Sequence, residues 1–188
     1  MNLTVSGHKV DISEALEKHA RQALETTIER HLGSEIIDAQ VTLSKIRHLF
    51  RAVISITISK NFTVRSHAED EDGYRSIDLA VQKLDSRASK YKERLRDKRR
   101  HQTLDEQAVQ AQYFVVDSEK QHEEEGAPVI VAEMEHDIPT LTVGDAVMRM
   151  DMSSAPLMMF KNSMSDTLNV VYRREDGNIG WIDPSIKK

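Results

Sequence analysis

Three consecutive segments of the chain alternate apolar and polar residues, and this pattern restricts the fold more than any other feature of the sequence. The segments are IDAQVTL, AVISITIS and FTVRSHA, at residues 37–43, 52–59 and 62–68. Because side chains alternate across a strand, each segment presents one apolar and one polar face. The apolar faces contain Ile37, Ala39, Val41 and Leu43; Ala52, Ile54, Ile56 and Ile58; and Phe62, Val64, Ser66 and Ala68. The pattern predicts an antiparallel sheet that is covered on one side, with a tight turn at Lys60 and Asn61.

Two segments with helical periodicity flank these strands and supply the cover. The first begins near Asp11, with Glu14 three residues later, and continues to Gly33 with Leu16, Ala20, Ala23 or Leu24, Ile28 and Leu32 on its apolar face. The second begins near Asp72 to Tyr74 and supplies Ile77, Val81, Leu84, Ala88, Tyr91 and Leu95. Residues 2–10 add a weakly alternating strand. Residues 1–100 are therefore predicted to form an α+β domain of the order β-α-β-β-β-α.

The second predicted helix is strongly basic, although the whole chain has a formal net charge of −5. Nine Lys or Arg and only three Asp or Glu lie between Lys83 and Arg100. At helical spacing, one line of these cations forms a continuous basic ridge of Lys83, Arg87, Lys90, Arg94 and Lys98. The opposite flank carries Lys92, Arg96 and Arg99.

Two interpretations of the basic ridge are open. A charge run is most often a solvated helix surface with intrahelical ion pairs. Here Asp85, Glu93 and Asp97 are too few to neutralise the cations, so like charges remain neighbours at a cost in stability unless another partner binds them. The imbalance favours a surface that binds phosphates, to which Arg51 and Arg65 would add. Because the polar strand faces have no Phe or Tyr for base stacking, folded RNA recognised by backbone and shape is favoured.

The sequence carries no signature of catalysis or of a cofactor. There are no cysteines, so disulfides, thiolate ligands and a cysteine nucleophile are excluded. The eight histidines are not at metal-binding spacing with a carboxylate, and no Gly-rich phosphate loop or nucleophile elbow is present. No apolar run approaches the roughly 18 residues of a membrane helix, and no signal peptide precedes the first strand. We expect a cytoplasmic protein that is not an enzyme and uses no cofactor or metal.

The charge divides the chain into unlike halves. Residues 101–188 carry 7 Lys or Arg against 16 Asp or Glu, a formal charge of −9 that leaves +4 for residues 1–100. Residues 101–126 are rich in Gln and Glu, keep no apolar period and end with a Glu run before Gly126, as is typical of a linker. The apolar Tyr113–Val116 is unusual there and favours a docking segment or a short strand. We expect a first domain at 1–100, a linker at 101–126 and a second domain at 127–188.

The second domain has the pattern of a small β-rich unit. PVIVAEM is apolar on both strand faces, Thr142 and Asp145 form a capping box for a short helix, and LNVVYRREDGNIGWID is a hairpin that turns at Asp176 and Gly177. About 60 residues bury little surface, and a strand that is apolar on both faces needs two covering layers. A second copy would supply the missing layer in a homodimer. The expected interface residues are Val129, Val131, Phe160, Val171 and Trp181, with Phe160 and Trp181 as exposed anchors.

Two strings of the sequence carry a resemblance to a known family. The first hundred residues, with DEDGYRSIDLAVQKLDSRASKYK, resemble the ribosome hibernation-promoting factors. MFKNSMSDTLNVVYRREDGNIGWIDP is similar to the carboxy-terminal domain found in the long form of that family. The resemblance implies that the first domain lies on small-subunit rRNA in the channel used by mRNA and tRNA, where it blocks translation. It also implies that the second domain dimerises and pairs two ribosomes.

Residue by residue, the resemblance covers the start and the basic positions of the second helix. The motif that opens this helix corresponds to Asp72, Tyr74, Ile77 and Asp78, and the basic positions correspond to Lys83, Lys90 and Lys92. Ser86 and Ser89 stand where family members often carry Arg, while Arg87 and Arg94 keep charge on the basic ridge. Two other functions remain open, a transcription regulator that acts on sigma factors through protein contacts and a general double-stranded RNA binder.

Overall fold

The structure is a computed structural model that describes residues 2–32, 36–59, 62–98, 108–121 and 128–184. The chain divides into two compact units, residues 1–104 with 147–157 and residues 105–146 with 158–188. The main elements of the first unit are β1 Asn2–His8, α1 Glu14–His31, β2 Asp38–Ile46, β3 Leu49–Ser59, β4 Phe62–Asp70 and α2 Gly73–Lys98.

The strands of the first unit form one sheet in the order β1-β2-β3-β4. β2, β3 and β4 are antiparallel neighbours, as their sequence pattern predicts, whereas β1 and β2 are parallel. The parallel pair follows from its connection, because the 18-residue helix α1 returns the chain to the starting end of the sheet. The observed order of elements confirms the predicted β-α-β-β-β-α domain.

The two helices and the apolar strand faces share one core. The helices pack against each other, α1 lies against β1, and α2 lies against β3 and β4. Alternate strand residues are buried, including Ala39, Val41, Leu43, Ala52, Ile54, Ile56, Phe62, Val64 and Ala68. The helices contribute Leu16, Ala20, Leu24, Ile28, Ile77, Ala80 and Leu84. The two periodicities found in the sequence therefore meet in a single hydrophobic cluster.

The structure corrects the sequence pattern at two positions. Ser13 rather than Asp11 caps α1, since the backbone N–H of Leu16 donates to Ser13 Oγ at 3.3 Å. Ile37 is exposed because β2 begins only at the next residue, and Ile36 is buried in the core instead. The predicted turn at residues 60–61 and the predicted helix end at residue 33 lie outside the described residues.

The second half of the chain is rich in strands, as expected. Its elements are β5 Val109–Gln121, β6 Pro128–Ile138, β7 Thr140–Leu141, α3 Val143–Ser153, β8 Leu157–Asn162, β9 Leu168–Arg173 and β10 Ile179–Ile182. β7 to β10 form a sheet in the order β10-β9-β8-β7, and β5 and β6 form an antiparallel ribbon. The capping box of α3 is present, since Asp145 N donates to Thr142 Oγ1 at 3.2 Å.

The segment that was predicted as a linker contains a strand. Tyr113–Val116, the apolar segment that did not fit a linker, lies inside β5, which agrees with the short-strand alternative. β5 pairs with β6 over most of its length. Residues 101–107 and 122–127 lie outside the described part of the chain.

Candidate nucleic-acid interface

The start of α2 is held against α1 by the residues of the sequence motif. Asp72 caps the helix, because the backbone N–H of Arg75 donates to Asp72 Oδ1 at 3.0 Å. Asp78 Oδ1 lies 2.7 Å from Nε2 of His19 on α1, and the Tyr74 ring meets the His19 ring edge-on with centroids 5.2 Å apart. These contacts orient the helix that carries the basic ridge. The periodicity of the sequence did not indicate His19 as their shared partner.

The first part of the basic ridge lies along the edge of the sheet. β4 is the last strand of this sheet, so the backbone groups on its outer side have no strand partner among the described residues. Lys83 Nζ donates to the carbonyl of His67 at 3.0 Å. The Arg87 guanidinium donates to the carbonyl of Arg65 and, at 2.7 Å, to Ser154 Oγ. The structure thus brings Lys83 and Arg87 together beside Arg65, which is exposed.

The basic ridge continues along α2 from these contacts. Lys90 and Arg94 are exposed. Lys90 forms no hydrogen bond or ion pair with the part of the chain that the structure describes. The described ridge, from Lys83 to Arg94, is about 16 Å long at the rise of an α-helix. Lys98 belongs to α2, but its side chain lies outside the described part.

Two further predicted RNA-binding residues, like Lys83 and Arg87, have partners inside the fold. Lys92 Nζ donates to the carbonyl of Arg30 at 2.6 Å, at the end of α1, in agreement with its place on the opposite flank of α2. Arg51 is half-buried on β3, with Nε 3.6 Å from Glu69 Oε1 on the neighbouring strand. The structure therefore places Lys92 and Arg51 in contact with other residues of the fold.

One acidic residue of α2, Asp85, does not neutralise the basic ridge. Asp85 faces α1, where its Oδ1 lies 3.1 Å from His31 Nε2 and 3.5 Å from a guanidinium nitrogen of Arg30. The side chain of Asp97 lies outside the described part of the chain. A row of ammonium and guanidinium groups with few counter-charges can bind phosphate oxygens by charge-assisted hydrogen bonds.

The acidic groups of the described residues do not form a metal site. No group of three or more His, Cys, Asp or Glu among them could hold a metal ion, and no helix in the same residues is long and apolar enough to cross a membrane.

Asp176, in the turn between β9 and β10, has a pKa below its ordinary value. The cause is the backbone N–H of Asn178, followed by the guanidinium of Arg174, both of which donate to its carboxylate.

The predicted dimer residues of the second half lie in different surroundings. Phe160 and Val171 are fully buried within the chain, so the expectation that Phe160 is an exposed anchor is wrong. Trp181 is opposite Val171 in the register of β9 and β10, and its indole N–H donates to Asn169 Oδ1 at 2.8 Å. Trp181 therefore lies on the same side of the sheet as the buried residues, although it is itself exposed. On β6, Val129 is half-buried and Val131 is exposed.

The other side of this sheet presents an apolar surface. Because strand side chains alternate, this open sheet face contains Met159, Leu168, Val170, Tyr172 and Ile182. The Tyr172 ring lies over Gly180, where an added Cβ would come within 2.3 Å of the ring. β8 and β9 carry apolar residues on both sides, so their sequence did not indicate which side the fold would cover. This ambiguity led sequence reasoning to Phe160 and Val171 rather than to Met159 and Leu168.

Two family models match the chain, in the order of its two halves. The model described as "Sigma 54 modulation protein / S30EA ribosomal protein" matches residues 3–96, and the model described as "Sigma 54 modulation/S30EA ribosomal protein C terminus" matches residues 125–180. The chain is also similar to proteins named "Ribosome hibernation promotion factor". The protein of Bradyrhizobium diazoefficiens is 31% identical, over 98% of this chain and 95% of that protein. The protein of Rhizobium meliloti is 30% identical, over 97% of each.

More distant relatives and solved structures have similar names. The "Ribosome hibernation promotion factor" of Bacillus subtilis is 28% identical, over 98% of this chain and all of that protein. The N-terminal domain of Thermus thermophilus Protein Y is 28% identical with a TM-score of 0.43, over 48% of this chain and 99% of that structure. Because both family models match in one chain and relatives at 30% identity or more cover nearly all of it, the chain belongs to the family of long-form ribosome hibernation-promoting factors.

Proposed function

We propose that this chain is a ribosome hibernation factor that acts in the cytoplasm without catalysing a reaction. The domain at residues 1–100 binds small-subunit rRNA in the channel of mRNA and tRNA and blocks translation by occupying that channel. The domain at residues 127–188 joins two copies and thereby pairs two ribosomes. Relatives that match nearly the whole chain and are named ribosome hibernation promotion factors support the proposal.

The observation that carries the RNA-binding part is the excess of cations on the basic ridge. Asp85 faces α1 and therefore does not neutralise the ridge, which lies beside the edge of the sheet. Lys83, Arg87, Lys90, Arg94 and Arg65 are the described cations that we assign to phosphate contacts. Contacts between these cations and phosphates fit the recognition of folded RNA through its backbone, which needs no aromatic side chains for base stacking.

The part of the proposal that concerns dimerisation rests on the open sheet face. An exposed apolar surface on a small domain is a common site of association. In a two-fold dimer, each copy would place its own open sheet face against that of the other and close the assembly. Leu168 and Ile182, which are exposed on this face, replace Phe160 and Val171 as the residues that we expect at the contact.

Sedimentation of ribosomes with and without the protein tests the proposal. We expect the protein to sediment with the small subunit, to lower translation in a purified system, and to shift ribosomes into paired particles. Excess mRNA and tRNA bound beforehand should reduce the binding, because they occupy the same channel. Binding that is unaffected by mRNA and tRNA would contradict the channel as the site.

A second candidate function is control of transcription, since the descriptions of both matching families name sigma 54 modulation. The basic ridge argues for a polyanion rather than for a protein partner. One comparison separates the two functions. Changing Lys83, Lys90 and Arg94 together to Ala should abolish the effect of the protein on ribosomes. A transcription regulator with these substitutions would keep its effect on sigma-dependent transcription in a system without ribosomes.

A further inference from the structure

The carboxy-terminal part of α3 packs within the first unit, although it lies in the second half of the sequence. Residues Val147–Leu157, which we call the cover segment, belong to the first compact unit. The same residues lie inside 125–180, the region matched by the second family model. Met152 is buried in the hydrophobic cluster of α1, α2 and their sheet, and Met148 packs against that cluster. The cover segment is thus an addition to the β-α-β-β-β-α domain.

Polar contacts place the end of the cover segment at the basic ridge. The Arg149 guanidinium lies over the Phe62 ring of β4, with 5.1 Å between its Cζ and the ring centroid. Ser154 Oγ accepts a hydrogen bond from Arg87 Nη1 at 2.7 Å and donates one to the carbonyl of Arg65 at 3.2 Å. The cover segment therefore contacts both β4 and the helix that carries the basic ridge.

These contacts engage Arg87, which lies inside the described length of the basic ridge. Its Nη1 has two hydrogens and donates to two oxygens, the carbonyl of Arg65 and Ser154 Oγ. Arg87 is half-buried, whereas its ridge neighbours Lys83 and Lys90 are exposed. A phosphate cannot accept hydrogen bonds from Nη1 while both oxygens are in place. Ser154 thus lies where an RNA backbone that follows the basic ridge would pass.

We infer that the cover segment is an autoinhibitory element, which covers part of the basic ridge in the free chain and is displaced when RNA binds. This inference rests on the proposed function, because it concerns the RNA-binding surface of that proposal. RNA binds the basic ridge only in chains whose cover segment is detached. The measured affinity is then the intrinsic affinity reduced by the fraction of detached chains. Loosening the cover segment should therefore tighten ribosome binding.

The backbone at Ser154 supports a role for its side chain. Ser154 has a φ of 54°, in the left-handed region that glycine adopts most readily at the ends of helices. Serine is less favourable than glycine in this conformation, but its hydroxyl can both accept from Arg87 and donate to the carbonyl of Arg65. Since Ser154 is exposed, water can replace both hydrogen bonds, so the contact can open at a small net cost.

Ser154→Gly tests the cover segment in the full chain. Glycine keeps the left-handed backbone and removes both hydrogen bonds without a change of charge. In a ribosome pelleting assay we expect the variant to lower the Kd for ribosomes about three- to tenfold. An unchanged Kd would overturn the inference. A raised Kd would also overturn it, because Ser154 would then position Arg87 for RNA contact.

Ser165→Gly is the matched control for this substitution. It removes an exposed hydroxyl that hydrogen-bonds to Thr167 Oγ1 in the second half of the chain, again without a change of charge. We expect the control to change the ribosome Kd by less than about twofold. If Ser165→Gly tightens binding as much as Ser154→Gly, the effect does not come from the cover segment and the inference is wrong.

Arg149→Gln separates the cover segment from general electrostatics. The variant removes a positive charge, and loss of attraction to RNA alone would raise the ribosome Kd. It also removes the contact with the Phe62 ring, so release of the cover segment should lower the Kd instead, by about two- to fivefold. Arg173→Gln makes the same change of charge on β9 and measures the electrostatic effect alone. A Kd for Arg149→Gln equal to or above that of Arg173→Gln would contradict the inference.

Alkylation of a buried thiol measures the displacement directly. Because the chain has no cysteine, Met152→Cys introduces a single thiol at a position that is 2% exposed. We expect N-ethylmaleimide to modify it about tenfold faster in the ribosome-bound chain than in the free chain, as read from the mass of the chain. Leu141→Cys, at the same exposure, should react equally slowly in both states. Equal rates for Met152→Cys in the free and bound chains would overturn the inference.

These measurements separate the cover segment from the proposed function itself. If the unmodified chain does not sediment with ribosomes, the proposed function fails and the autoinhibitory role fails with it. If the unmodified chain binds ribosomes and Met152→Cys reacts at one rate in both states, only the autoinhibitory role is wrong. If the thiol of free Met152→Cys reacts as fast as an exposed thiol, the cover segment is not attached in the free chain, and the inference is wrong as well.

Discussion

Lys90 and Lys92 stand two residues apart on α2 and have opposite surroundings. Lys90 has no partner in the described part of the chain, whereas Lys92 donates to a carbonyl at the end of α1. We expect Lys90→Ala to leave the free energy of unfolding unchanged within about 0.5 kcal/mol while it weakens ribosome binding. We expect Lys92→Ala to lower the free energy of unfolding by about 0.5–1 kcal/mol, because a hydrogen bond is lost.

Urea unfolding and ribosome binding, measured on both variants, check this pair. Each variant removes one positive charge from the same helix, so each is the control for the other. The assignment of Lys90 to RNA contact would be wrong if Lys90→Ala binds ribosomes as well as the unmodified chain and Lys92→Ala does not.

Asp176 offers a prediction about pH. Its pKa is below the ordinary value because Asn178 N–H, first, and the Arg174 guanidinium donate to the ionised carboxylate. A depressed pKa in the fold means that the carboxylate stabilises the turn above the ordinary pKa, and that this contribution is lost as pH falls through the pKa of the folded state. An NMR titration should show that Arg174→Gln raises the pKa of Asp176 towards its ordinary value. No change in the titration would mean that the Arg174 contact is absent in solution.

At the scale of elements, α2 acts as a scaffold that holds several cations in line. If Arg65, Lys83, Arg87, Lys90 and Arg94 contact about five phosphates, the logarithm of ribosome affinity should fall against the logarithm of salt with a slope of roughly −3.5 to −4.5. Changing Lys83, Lys90 and Arg94 together to Ala should flatten the slope by about two to three units. Affinity measured over a series of KCl concentrations gives the slope.

The control for the salt experiment is a variant with the same change of charge in other places. Lys18, Arg173 and Arg174 lie outside the basic ridge, and their combined substitution by Gln should leave the slope within about one unit of the original. An equal flattening by both triple variants would indicate that net charge, and not the basic ridge, governs binding.

At the scale of the whole molecule, the two halves are expected to divide the work. Leu168 is 43% exposed on the open sheet face, and Met164 is 91% exposed in the connection between β8 and β9. We expect Leu168→Glu to raise the dimer Kd more than tenfold, because a buried charge replaces an apolar contact, and Met164→Glu to raise it less than threefold. Leu168→Glu should still bind single ribosomes and block translation.

Sedimentation of the protein alone, and of ribosomes with each variant, measures both effects. A Leu168→Glu variant that still pairs ribosomes would remove the open sheet face from the assembly. A variant that loses single-ribosome binding as well would contradict the division of work between the halves.

The sequence by itself determined the elements of the first unit and the position of the basic ridge. The segments from residue 37 to residue 68 have an apolar period of two, and the helices have a period of 3.6. These periods are local properties, because the geometry of a single strand or helix determines on which face each side chain lies. The buried faces agree with those periods, apart from Ile37 at a strand boundary. A boundary depends on one or two residues and on a cap such as Ser13, so the pattern alone did not locate it.

Only the tertiary structure decided which partners the polar groups find and which sheet side is covered. Asp85 could have neutralised its own helix, but the packing of α1 on α2 brings it to His31 instead. In β8 and β9 both faces of the strand are apolar. The alternation of side chains therefore placed Phe160 and Met159 on opposite faces without indicating which of the two would be buried. Burial depends on the layer that lies against each face, and that layer comes from residues distant in the sequence.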